Sequence, residues 1–148
     1  NTREGGSQEM SEQRMSKADF ETLAHFRYQL RRYLRFSEEV TRGNGITPLQ
    51  YLLLLQIKGF PGRESATVGE LAERLQAKHH GVVSLISRCE LAGLVRRSVS
   101  CGDRRQVDVQ LTQEGNECLE QLADLHRREL LSLQGKFTVP DLTTLGHE

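Results

Sequence analysis

Between residues 77 and 92, Val82, Leu85, Ile86 and Cys89 recur in steps of three and four, the spacing of a helix with one core-facing stripe. The opposite stripe carries His80, Ser84, Ser87 and Arg88, with Lys78 and His79 flanking the first turn. Gly93 stands where a helix end wants a residue in the left-handed conformation. Just upstream, Thr67-Val-Gly-Glu70 is a capping box opening a short helix with Val68, Leu71, Ala72 and Leu75 on one side. Downstream the period changes to two. Val107, Val109 and Leu111 alternate with Gln106, Asp108 and Gln110, which predicts a half-buried strand. Leu94 to Ser100 is its partner, with Val95 and Val99 on one face, and Cys101-Gly-Asp-Arg-Arg105 is the turn between them. Thr112 then caps another helix.

The flanking segments are helical too. Ser16 and Asp19 mark a helix start, and Phe20, Leu23, Phe26, Leu30, Tyr33, Leu34 and Val40 carry that helix to about Arg42. Its apolar positions wrap more than one side, so more than one neighbour must cover it, and a second subunit is a natural supplier. Gly43-Asn-Gly45 ends it. Thr47-Pro48 starts the next helix, with proline at the first helical position, where a missing N–H costs nothing. Leu49 to Ile57 is apolar almost all round and should be central; Gly59 to Gly62 breaks it, and Arg63 to Ala66 reads as a loop. From Thr112 a long helix runs to about Lys136 with Leu119, Leu122, Leu125, Leu130 and Leu133 on one stripe, and Phe137, Val139, Pro140 and Leu142 begin a short last helix or tail.

A chain of 148 residues suits one domain, and residues 1–15 are polar enough to be flexible. The 20 basic and 20 acidic residues cancel, so no global field points to nucleic acid. Their distribution does: Lys78, Arg88, Arg96, Arg97, Arg104 and Arg105 face only Glu90 and Asp103 over that stretch. Cys89, Cys101 and Cys118 have no metal-type pairing. An odd count without a secretory leader suggests reduced thiols and a cytoplasmic location. No apolar run approaches the roughly 18 residues of a membrane span.

Two helices followed by a basic hairpin form a DNA-reading device, a winged helix-turn-helix, in which the second helix enters a major groove and the hairpin lies along the backbone. The candidate contacts are Lys78, His79, His80, Ser84, Ser87 and Arg88 on the helix and Asp103, Arg104 and Arg105 at the turn. Arg can reach guanine, Ser can contact bases or phosphates, and paired Arg at a protruding tip can grip a minor groove. Asp103 is placed to orient one of them. Arg27, Arg31 and Arg35 make a basic stripe beside Tyr28 on the first helix that could meet an anionic or aromatic effector, or simply form a solvated face or contacts to Glu21, Glu38 and Glu39. Cys101, beside Arg104 and Arg105, is a candidate oxidation-prone thiol.

The residues Asp103-x-Arg105, the alternating Val107, Val109 and Leu111, and Thr112-Gln-Glu-Gly115 resemble the wing signature of the multiple antibiotic resistance regulator (MarR) family. Residues 81–96 are similar to that family's recognition helix and first wing strand, and Thr47-Pro-Leu-Gln-Tyr51 to the start of its second helix. The resemblance covers about residues 16–145. It implies a mainly α fold with a small β-hairpin, a winged helix-turn-helix over about 47–112, and dimerisation through helices at about 16–42 and 113–145 of a single 16–148 domain. It further implies a homodimeric repressor on pseudo-palindromic double-stranded DNA, released by a small ligand or by thiol oxidation, with Arg105 as the wing arginine and Asp103 its partner. The chain departs from the family's peroxide-sensing branch in having no cysteine in the first helix. No catalytic, cofactor or metal motif is visible: there is no phosphate-cradling glycine loop, no His-Glu-x-x-His and no Gly-x-Ser-x-Gly. The alternative is a winged helix that binds protein and not DNA.

Overall fold

The computed structural model describes residues 14–99, 102, 105–133 and 139–141. Five helices and three strands follow in the order α1 (Lys17–Gly43), α2 (Pro48–Lys58), β1 (Ser65–Thr67), α3 (Val68–Leu75), α4 (His79–Leu91), β2 (Val95–Val99), β3 (Val107–Leu111) and α5 (Gln113–Leu133). The fold is mostly helical with a small antiparallel sheet.

The helix starts follow from their capping side chains. At α1, Ser16 Oγ accepts from Asp19 N at 3.2 Å while Asp19 Oδ2 accepts from Ser16 N at 2.9 Å, so two orphan donors are satisfied reciprocally. Thr47 with Gln50, and Thr67 with Glu70, repeat the device at α2 and α3. Thr112 Oγ1 accepts from Gly115 N at 3.0 Å to open α5 and donates to the Gly93 carbonyl at 2.5 Å. Gly93 sits at φ 77°, closing the α4 end as expected.

The core lies where α2, α3, α4 and the sheet meet. Leu53, Leu54, Ile57, Leu71, Val82, Ile86 and Val109 are completely or almost completely removed from solvent, and Leu122 of α5 joins them. Val82, Leu85, Ile86 and Cys89 are all buried, as the α4 spacing requires.

Several expectations change. The segment read as a loop at Arg63 to Ala66 ends in β1, which pairs antiparallel with β3 through Ser65–Gln110, Ala66–Val109 and Thr67–Asp108. The sheet therefore has three strands in the order β1-β3-β2. α2 is central but not buried all round: Leu49, Leu52 and Leu55 are exposed on the side away from Leu53, Leu54 and Ile57. The hairpin face is buried only at its base. Val95 and Val109 are covered, whereas Val99 and Val107, paired with each other, are exposed because the ribbon projects past the core. α4 begins at His79, since Lys78 keeps an extended backbone at φ −74° and ψ 147°. Among the described residues α5 ends at Leu133, and residues 139–141 are irregular. The expected flexible segment falls mostly, and the last helix largely, outside the described residues.

Candidate nucleic-acid interface

α4 presents its reading face by elimination. Its apolar stripe is committed to the core, so at about 100° per residue the opposite side must face outward. His79, His80, Ser84 and Arg88 are exposed there, and Ser87 is half-buried. Lys78, the residue before the helix, is exposed as well and makes no side-chain cap. No acidic residue occupies the first turn. The α4 N-terminus therefore offers backbone N–H groups beside the Lys78 ammonium with no carboxylate in its own first turn, a combination suited to an anion.

The wing is fastened to this helix by a residue that the sequence reading counted only as one of the local cations. Arg97 of β2 donates to Ser87 Oγ, approaches the Val83 carbonyl at 3.5 Å, and lies 3.9 Å from the Glu90 carboxylate. One guanidinium thus holds three successive exposed-side positions of α4. Ser87 is occupied by this contact, which turns its oxygen toward the wing. Arg96, one residue earlier, points to the other sheet face and donates to Gln110 Oε1 at 3.1 Å. Two of the six cations counted as a basic surplus are therefore engaged within the fold. Cross-strand alternation could have separated Arg96 from Arg97, but not the helix that Arg97 reaches. Leu91, 89% exposed on the same side of α4, was also passed over.

Of the predicted wing residues, Arg105 is described and exposed. Cys101, Asp103 and Arg104 lie outside the described residues. Cys89 is buried, and removal from water pushes its thiol up to about 11, Arg88's charge opposing only in part. Cys118 is raised by burial too. Both therefore remain thiols near neutrality.

The proposed effector stripe is spread along one exposed helix. Arg27, Tyr28 and Arg31 are all exposed. Arg32, not Arg27 or Arg31, approaches the Tyr28 ring, at 5.7 Å. Arg31 borders a shallow depression with Leu34, Arg35, Glu38, Glu39 and Arg42, within which Arg35 pairs with Glu39 and Arg42 with Glu38, each at 3.1 Å. Among the described residues no cluster of three or more His, Cys, Asp or Glu could hold a metal ion.

A family model of the MarR family matches residues 44–106, the stretch from the end of α1 to the start of β3. Over that stretch the chain is similar to the MarR family. An HTH-type transcriptional repressor of Bacillus subtilis (strain 168), MdtR, is 35% identical over 78 residues, covering 53% of this chain and 48% of the repressor. The match thus spans about half of that relative's length. The structure of a MarR family protein from Bacillus stearothermophilus superposes with a TM-score of 0.67 at 25% identity, over 82% of this chain and 81% of that one. A mutant of MepR from S. aureus, solved bound to an oligodeoxyribonucleotide, shares the fold with a TM-score of 0.62 at 20% identity, over 76% of this chain and 81% of that one. These MarR likenesses agree with the three-stranded winged arrangement built above.

Proposed function

We propose that this chain is a member of the MarR family and a sequence-specific, DNA-binding transcriptional repressor acting as a homodimer, with α4 in the major groove and the β2–β3 wing on the backbone. The observation that carries this reading is the exposed side of α4. It presents Lys78, His79, His80, Ser84 and Arg88, has no carboxylate in its first turn, and is braced from the side by Arg97. A solvated helix has no need of such a brace. The repressor relative and the DNA-bound MepR mutant support the same reading. In this arrangement Arg88 reads a base edge, Ser84 and the histidines touch bases or phosphates, and Arg104 and Arg105 with Asp103 grip the backbone beside the groove.

Residues 16–148 act as one cytoplasmic, non-enzymatic domain, with α1 and α5 as the dimerisation arm. Among the described residues no helix is long and apolar enough to cross a membrane. Release from DNA falls to an anionic aromatic effector at Arg27, Tyr28 and Arg31, or to oxidation of Cys101.

The test is an operator selected from random duplexes, followed by titration of two variants. Arg88→Ala should lose about 1–3 kcal/mol of discrimination at one base position. Arg105→Ala should weaken binding to every sequence and lower the salt slope by about one phosphate. No selectable operator, or an unchanged salt slope in Arg105→Ala, would overturn the assignment.

A further inference from the structure

His126 is one of three buried polar or charged side chains among the described residues, and it is 4% exposed. Its surroundings come from three helices. Within α5, Nδ1 lies 2.7 Å from the Leu122 carbonyl oxygen. A carbonyl can only accept, so Nδ1 carries the proton and donates. In the neutral ring Nε2 is then the acceptor, and Ser37 of α1 donates its hydroxyl proton to it at 2.7 Å. The ring face stacks on Tyr51 of α2, with centroids 4.4 Å apart and planes 6° from parallel. Tyr33 and Phe36 of α1 meet the imidazole edge-on at 6.3 and 5.9 Å. Burial raises the phenols of both Tyr33 and Tyr51, with Glu129 adding to the first and Tyr33 to the second, so the ring's titratable neighbours stay uncharged.

A residue that only filled space here would be aliphatic, because apolar packing is non-directional and leaves helices free to slide. Two short hydrogen bonds and a parallel stack have defined directions instead, and each points at a different element. α1 and α5 belong to the arm, whereas α2 is the first helix of the unit that carries α4. We infer that His126 is a positioning residue: it fixes the angle between the α1–α5 arm and the winged unit by holding Ser37 on one side and Tyr51 on the other. Its consequence for DNA rests on the function proposed above. In a dimer that angle sets the separation of the two α4 helices, and hence which half-site spacing is accepted.

The test has one arm without DNA and one with it. In the full chain, spin labels on ketone-bearing residues at exposed Ala24 of α1 and exposed Ala77 before α4 report the intrachain distance, diluted into unlabelled protein. The native chain should give a single narrow distance. His126→Phe keeps a ring against Tyr51 but removes both hydrogen bonds, and Ser37→Ala removes one. Each should lose the narrow peak, and Ser37→Thr, which keeps the hydroxyl, should restore it. Narrow distributions in both His126→Phe and Ser37→Ala would overturn the inference, whether or not the protein binds DNA. The second arm compares the selected operator with one lengthened by a base pair between half-sites, which turns one half-site by roughly 35°. Ser37→Ala should lose most of the native preference for the correct spacing. Retention of the full preference alongside a broadened distance would overturn the link to spacing. If the native chain recognises no operator, the proposed function falls while the distance result still decides the role of His126.

Discussion

α4 and α1 are both striped with apolar residues, yet they end in opposite conditions. α4 has 13 residues and buries Val82, Leu85, Ile86 and Cys89. α1 is twice as long, with 27 residues, and buries only Asp19 and Thr41. Phe20, Tyr28 and Leu34 on α1 are each more than half exposed. Leu130 and Leu131 on the far part of α5 are at least half exposed as well. Burying one large apolar side chain contributes roughly 1.5–3 kcal/mol, so α1 leaves unused a stabilisation that α4 has already collected. The α4 stripe is thus covered within one chain, whereas α1 displays an unfinished surface. That difference is what the proposed dimer explains.

The comparison breaks most visibly in the winged core. Ile86→Ala removes a completely buried side chain from between α4 and its neighbours. It should cost about 2–5 kcal/mol in urea unfolding, by the same amount at every protein concentration. A loss under about 1 kcal/mol would mean that the core is not closed as described. The arm should respond differently. Phe20→Asp places a charge on an exposed position of α1 and should leave the winged core intact. Once Phe20 faces a partner, the uncompensated charge should weaken self-association by about tenfold or more, about 1.4 kcal/mol, visible in sedimentation as a concentration-dependent shift toward monomer. An unchanged sedimentation profile would remove Phe20 from the interface.

The two regions also differ in how much of them could be read from the sequence. The α4 faces were legible because helical spacing assigns each side chain a direction before any partner is known. The capping box at Thr67 and Glu70 was legible for a similar reason, since donor and acceptor lie three residues apart, whereas at Ser16 and Thr47 the helix start was read without the reciprocal bond from Asp19 or Gln50. β1 was not, because three residues are too few to show alternation, and only pairing with β3 identifies it. The Arg97–Ser87 brace and the His126 cluster join residues 10 and 89 positions apart, beyond any local period. Gly115 lies between these cases. It belonged to the sequence motif, but its reason appears only in three dimensions: a Cβ there would overlap the Leu94 carbonyl oxygen, so α5 can cross the α4–β2 junction closely only with glycine. The apolar wing face misled because alternation specifies a shared side of a strand, not whether the core extends far enough to cover Val99 and Val107.

The smallest expected effect tests how fully the winged unit completes itself, down to one capping charge. Glu70 Oε1 accepts from Thr67 N at 3.0 Å, and Glu70 Oε2 pairs with the Arg63 guanidinium. Burial works to raise the Glu70 carboxyl, but the bonds from Thr67 and the Arg63 charge together outweigh it and leave it below its ordinary value. A carboxyl depressed on folding stabilises above its unfolded value, and that contribution is lost as pH falls through the folded one. Glu70→Gln keeps an oxygen for the Thr67 N–H but has no charge. Because the Glu70 side chain is 28% exposed, solvent screens the pair. The substitution should cost only about 0.3–0.5 kcal/mol at pH 7. At pH 3, with the native carboxyl moving toward protonation, that difference should shrink. Urea unfolding of both proteins at the two pH values measures it. A difference that persists undiminished in acid would assign the loss to the shape of the cap and not to its charge.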